Sequence, residues 1–229
     1  LMKILFMAQL ARPDALRAIG ILTTVITRWT KLDDKKLHRL ICYLKTTREH
    51  RLVGFIGDGV SVLTPGTWTD ADLASCKQSY RSTSGVFNAI LGPHSRFPLA
   101  FLSKKQTCVS HSTPEAELVS ADVGIRTKGL PALSLWEVLL GRAVQLLLFQ
   151  DNQATACIMK SGKAPTLNHV SRTHGINIKW LHERICSPDI DLWDCHTDDM
   201  AADIFTKCFI NVPKWKSVCG LIGVLPPDT

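Results

Sequence analysis

Apolar positions recur every three or four residues through residue 50 and predict helices over "LMKILFMAQLA", "PDALRAIGILTTVITRW" and "DDKKLHRLICYLKTT". Pro13 suits a first helical turn, and the third segment places Leu37, Leu40, Ile41 and Leu44 on one face behind an acidic start. The opening segment reads as a buried helix and not as a leader, because Arg12 and Pro13 follow its apolar run at once. From about Leu52 the texture changes. Gly57, Gly59, Pro65 and Gly66 punctuate short apolar runs, and "TWTDAD", "TSGVFNAIL" and "FPLAFLSKKQ" read as an antiparallel meander. In a strand alternate side chains share a face, so Asp70 and Asp72 point the same way.

A helix follows at "STPEAELVSADVGIRTKGL", with Ser112 or Thr113 as its cap and Pro114 in its first turn. "AVQLLLFQD" is a continuous apolar run, the pattern of a strand buried on both faces. "NQATACIMKSG" and "SRTHGINIKWLHERIC" read as helices, "DIDLWDC" as a last strand, and "TDDMAADIFTK" as a helix capped by Thr197 or Asp198. The order of elements gives an α/β fold, a mixed sheet flanked by helices with a small all-helical segment before it. The expected division is a helical unit at 1–51 and an α/β domain at 52–225.

Charge biases the partner and does not alter the fold. Twenty-seven Lys and Arg against 20 Asp and Glu give a net +7, which favours polyanions such as nucleic acid. The eight cysteines stand singly, without a C-x-x-C, as expected of reduced thiols in an intracellular, non-secreted protein. No apolar run approaches the ~20 residues that would cross a bilayer, so no membrane partner is expected.

Four acids fall where α/β sites collect: Asp70 on the first strand, Glu117 in the first turns of a helix, Asp151 closing the apolar strand, and Asp203 late in the chain. An unpaired carboxylate at the end of "LLLFQD" costs several kcal/mol and calls for a neutralising group. Mg²⁺ prefers carboxylate and water oxygens, and three or four such acids can hold two ions about 3.5–4 Å apart, a known arrangement for phosphodiester hydrolysis. Singly, each acid also fits a turn, a helix cap or an ion pair, as Asp203 does with Lys207 one turn on.

"TDADLAS", "RSTSGVF", "LSKKQTCVSHSTPEAELVSA", "DNQATA", "SRTHGINIKWLHE" and "ADIFTK", in this order, resemble the signatures of the C-terminal part of copia-type retrotransposon Pol polyproteins. "ARPDA" and "LHRLICYLKTT" resemble the end of the reverse transcriptase that precedes it. The resemblance implies a ribonuclease H-like five-stranded mixed sheet and a two-metal endoribonuclease cutting the RNA strand of RNA/DNA hybrids. Mg²⁺ would be the cofactor, Mn²⁺ a substitute, and the rest of the polymerase a partner. It makes Asp70, Glu117, Asp151 and Asp203 the metal ligands and leaves Asp72 and Glu115 in supporting roles. His196 is a candidate for the catalytic histidine that related nucleases place before the last Asp.

The sequence departs from the family at Leu73, Ser75, Pro114, Gln150 and Cys208, and no ligand is lost. Backbone contacts are expected from Arg81, Ser82, Thr83, Ser84, Lys104, Lys105, Gln106, Asn152, Gln153 and Arg172, with Lys77, Ser171 and His174 as further candidates. Paired aspartates occur only at Asp33–Asp34 and Asp198–Asp199, both in helix-start contexts, so no polymerase Y-x-D-D turn is expected in this chain. The alternative reading is an inactive or repurposed nucleic-acid-binding scaffold with the same fold.

Overall fold

The computed structural model describes residues 1–227. Three helices come first: α1 (Met2–Leu10), α2 (Leu16–Thr23) and α3 (Lys31–Thr46). The last opens at Thr30, whose N–H and hydroxyl both donate to the Asp33 carboxylate in the manner of a capping box. A two-residue strand β1 (Arg51–Leu52) then pairs antiparallel with β7 (Val224–Leu225) after the last helix. The main sheet is built from β2 (Thr64–Asp72), β3 (Thr83–Gly92), β4 (Ser95–Lys105), β5 (Leu146–Gln150) and β6 (Ile190–Asp194).

Its spatial order is β4-β3-β2-β5-β6, with β2, β3 and β4 antiparallel and β5 and β6 parallel to β2. This is the five-stranded mixed sheet flanked by helices that the sequence led us to expect. Helices α4 (Thr113–Gly124), α5 (Leu130–Leu140), α6 (Gln153–Ser161), α7 (Val170–Thr173) and α8 (Ile178–Ile185) follow in the chain, and α9 (Val212–Leu221) comes after β6.

Alternation along the strands divides the interior into two cores. On one face Leu146, Leu148 and Ile190 pack against Leu118, Ile125, Met159 and Leu181 of the helices. On the other, Trp68 and Phe87 meet Phe205, Val218 and the helical segment's Ala8, Leu16, Ile19 and Leu22. Trp68 stacks on Phe149 with ring centroids 4.4 Å apart and an interplanar angle of 13°, joining β2 to β5. The N-terminal helices therefore share a core with the sheet.

Four expectations change. The opening helix is not buried: it packs through Ala8 with Ile4 and Leu5 beside it, and leaves Met2, Phe6 and Leu10 exposed. The segment "SRTHGINIKWLHERIC" is not one helix, because Gly175 adopts φ +69, a left-handed conformation that ends α7 before α8 starts. Strand β5 alternates buried and half-buried positions instead of being buried on both faces. Residues 197–205 form two short 3₁₀ turns, Thr197–Asp199 and Ala201–Phe205, separated by Met200 at ψ 87, where an α-helix was expected.

Within the helical segment, Arg12 grips Asp14 with two bonds of 3.0 and 2.7 Å, and the Tyr43 hydroxyl donates to the same carboxylate at 2.6 Å. Arg12 also donates to the Thr47 carbonyl at 2.9 Å, tying the turn before α2 to the end of α3. Arg12 and Asp14 are both buried, so removing one partner strands the other's charge. Asp14→Ala is expected to lower unfolding free energy by about 3 kcal/mol in urea titration, whereas an exposed pair such as Arg48–Glu49 should be worth under about 1 kcal/mol.

Candidate active site

Strands β2 and β5 run in parallel, with Trp68 opposite Phe149, so their carboxyl ends emerge side by side and bring Asp70 near Asp151. Asp203 arrives on the Ala201–Phe205 turn, which lies against β3 at Gly85. A Cβ on Gly85 would stand 2.6 Å from the Thr206 methyl and 2.8 Å from the Ala202 carbonyl, so only glycine lets this turn come so close. Gly85 is also the residue paired with Asp70 across the β2–β3 ladder. Carboxylate oxygens of Asp70, Asp151 and Asp203 lie within 4.8 Å of one another.

Glu117 stands beside this trio. Ser112 caps α4 by accepting from the Glu115 N–H at 3.3 Å, and Pro114 occupies the first turn, which sets Glu117 one turn in. The Gln150 amide accepts from Thr69 Oγ1 at 3.2 Å and donates to Glu117 Oε2 at 3.3 Å, linking strands and helix. Ser120 on the same helix donates to the Asp70 carbonyl at 2.7 Å.

The acids are short of positive charge. Lys207 Nζ reaches Asp203 at 2.7 Å and Asp70 at 3.5 Å, and Thr206 Oγ1 donates to the Asp70 carboxylate. Burial, then the neighbouring Asp70 charge, pushes Glu117 up to about 9 and Asp203 up to about 7. Asp151 is raised for the same two reasons, in the same order. Lys207 is raised as well: burial opposes its charge, but the surrounding carboxylates outweigh burial.

Support reaches the cluster from the helical segment. Arg17 on α2 donates to Asp72 at 2.8 Å and to the Thr206 carbonyl at 2.8 Å. Asp72 shares the Asp70 face, as alternation requires, and also accepts from the Thr83 N–H at 2.6 Å. Glu115 is fully buried and accepts from the His111 N–H at 2.9 Å. His169 and His174 each face it through Nε2, at 3.3 and 3.2 Å, and a carboxylate partner makes both nitrogens donors.

The other expected site residues lie outside the acid cluster. His196 lies on an exposed turn where its Nδ1 accepts from the Asp198 N–H at 3.2 Å. Among the described residues it makes no hydrogen bond or ion pair with the four acids. Ser82, Ser84 and Gln106 are buried: Ser82 Oγ accepts from the Ala74 N–H, and Gln106 donates to Ser84 Oγ and the Ala116 carbonyl. Thr83 is also buried, its hydroxyl 3.3 Å from that of Ser75. The His174 side chain is enclosed and faces no solvent. Asn152 caps α6 through Oδ1, while Arg81, Lys104, Gln153, Ser171 and Arg172 are exposed. Lys105 is half-buried beside Cys76.

Three contributors went unassigned in the sequence. Gln150, Thr206 and Arg17 position the acids, and only the first two had a signal, being adjacent to Asp151 and inside "ADIFTK".

No protein-family model matches the chain. A retrovirus-related Pol polyprotein from transposon TNT 1-94 of Nicotiana tabacum is 26% identical over 200 residues, 86% of this chain and 14% of its own length. The resemblance to a retrotransposon Pol polyprotein holds. The chain spans only 14% of that relative. Among solved structures, LC11-RNase H1, isolated from compost by a metagenomic approach, aligns over 62% of this chain and 92% of its own at 13% identity, with a TM-score of 0.39. No helix among the described residues is long and apolar enough to cross a membrane.

The raised acids set a pH dependence. Glu117 moves from 4.5 to about 9 and Asp203 from 3.8 to about 7, so across those windows the folded chain keeps protons that the unfolded chain has lost. Stability of the metal-free protein therefore falls as pH rises from about 5 to about 9, read as a declining melting midpoint in EDTA. A divalent cation held by this cluster would raise the midpoint more at the alkaline end, where the carboxylates are ionised, than at the acidic end.

Proposed function

We propose that the chain is the ribonuclease H part of a retroelement Pol polyprotein, an endoribonuclease that hydrolyses the RNA strand of RNA/DNA hybrids. The convergence of Asp70, Asp151 and Asp203 at the carboxyl ends of two parallel strands carries this reading. An all-oxygen donor set that is hard, anionic and under-neutralised suits Mg²⁺, with Mn²⁺ as a substitute, and does not suit softer metals. Asp70, Glu117, Asp151 and Asp203 would hold the ions. When bound, two such ions supply an activated water and stabilise the leaving oxygen.

The chain's own residues prepare this site. Thr206 fixes one oxygen of Asp70, and Gln150 orients Glu117 by donating to Oε2. Lys207 offsets part of the negative charge and draws in the anionic phosphate, while the buried walls keep the dielectric low so that each charge acts strongly. Exposed Arg81, Lys104, Gln153 and Arg172 remain available for backbone contacts. The remainder of the polymerase is the expected working partner.

A second reading, a binding module without turnover, draws on one observation. Lys207 already sits among the acids at 2.7 Å from Asp203 and supplies an internal counter-charge. A labelled hybrid incubated in Mg²⁺ separates the two. Wild-type protein is expected to cut the RNA strand and Asp151→Asn to be at least about 100-fold slower, ~2.7 kcal/mol of lost transition-state stabilisation. Equal product from both rules the mechanism out, and a wild type that binds without cutting selects the module.

A further inference from the structure

A groove of about 700 Å³ opens between α2–α3 and the ends of β2, β3 and β4. Its size is that of an ordinary ligand site, but its lining is strongly cationic: Arg17, Lys36, Lys77, Lys104, Lys105 and Lys207 against the single acid Asp72. Thr206 and Lys207 belong both to this groove and to the acid cluster, so the two are continuous.

Most of these cations are already committed. Arg17 is held by Asp72 at 2.8 Å, Lys36 by Asp33 at 2.9 Å and Lys207 by Asp203 at 2.7 Å. Lys105 Nζ donates to Cys76 Sγ at 2.8 Å. Burial raises that thiol, but the hydrogen bonds it receives, that from Lys105 foremost, together outweigh burial and bring it down to about 6. Lys77 and Lys104 are different. Both are exposed, both line the groove, and among the described residues neither side chain makes a hydrogen bond or an ion pair.

We propose that this groove holds a phosphodiester backbone next to the carboxylates, with Lys77 and Lys104 as its phosphate contacts and the helical segment as one wall. The site deepens the nuclease reading and rests on it. Arg17 builds the wall, its Nε held by the Thr206 carbonyl and one Nη by Asp72. A strand lying in the groove is led by Thr206 and Lys207 to the acids. The helical segment is thus part of the substrate site.

The test uses the full chain and a fluorescein-labelled RNA/DNA hybrid in EDTA, with affinity read by anisotropy across a salt series. Each neutralised phosphate contributes about 0.7–0.9 to the slope of log affinity against log salt, so Lys77→Gln with Lys104→Gln should flatten it by roughly 1.4–1.8. Lys160→Gln with Lys163→Gln removes the same charge outside the groove and should leave the slope unchanged. Both pairs are exposed, and an unshifted melting midpoint confirms that the variants fold. An unaltered slope in the first pair, or equal flattening in both, overturns the groove. Cleavage in Mg²⁺ is scored separately. A wild type that never cuts, yet binds through Lys77 and Lys104, keeps the groove and removes the nuclease, whereas cutting with a slope indifferent to these lysines does the reverse.

Discussion

Three carboxylates gathered beside one ammonium, with Glu117 next to them, are the constraint on which the rest of this structure turns. An ionised carboxylate taken from water without a partner costs several kcal/mol, and Asp70, Glu117 and Asp203 are all nearly enclosed. The surroundings answer that cost piece by piece. Thr206 and Lys207 hold Asp70 and Asp203, Gln150 donates to Glu117, and burial still pushes Glu117 and Asp203 above the usual carboxylate range. Gly85 gives up its side chain so that the Asp203 turn can reach β2, and Ser120 ties α4 to the same point through the Asp70 carbonyl. A stability optimum would not be arranged this way. Repulsion left unrelieved among these acids is compatible with a divalent cation, whose charge would relieve it.

Much of this could be read from residue order, for physical reasons that differ by element. The meander was legible because Gly, Pro and Ser punctuate three strands of alternating character, and β5 because an apolar run between turn signals has few alternatives. Asp70 and Asp151 were legible because strand ends are where a carboxylate is hard to explain otherwise. What failed depended on information that sequence spacing does not hold. Ser82, Ser84 and Gln106 look like solvent-facing polar residues, yet they satisfy one another and nearby backbone inside the protein. His174 sits in a basic, hydroxyl-rich motif and is nonetheless enclosed against Glu115. The Asp203 segment has the composition of a capped helix, but contact with β3 compresses it into 3₁₀ turns.

The change of texture near Leu52 marks where helices give way to strands, but packing continues across it. Ile19 and Leu22 lie in the same core as Phe87 and Phe205, and Arg17 carries the connection to the site. Its guanidinium holds the Thr206 carbonyl, the Thr206 hydroxyl holds Asp70, and the Thr206 N–H donates to the Asp203 carbonyl at 3.1 Å. A hydrogen bond involving a charged group is worth about 1.5–3 kcal/mol, and such a chain is felt at each link because removing one member leaves its neighbours unsatisfied. Metal-binding carboxylates tolerate displacements of only about 0.5 Å before their geometry degrades. A small shift of α2 therefore reaches the acids through two residues, Arg17 and Thr206, without any change in the sheet. The helical segment stands to the carboxylates as an outer support, and through Arg17 and Thr206 their position depends on it.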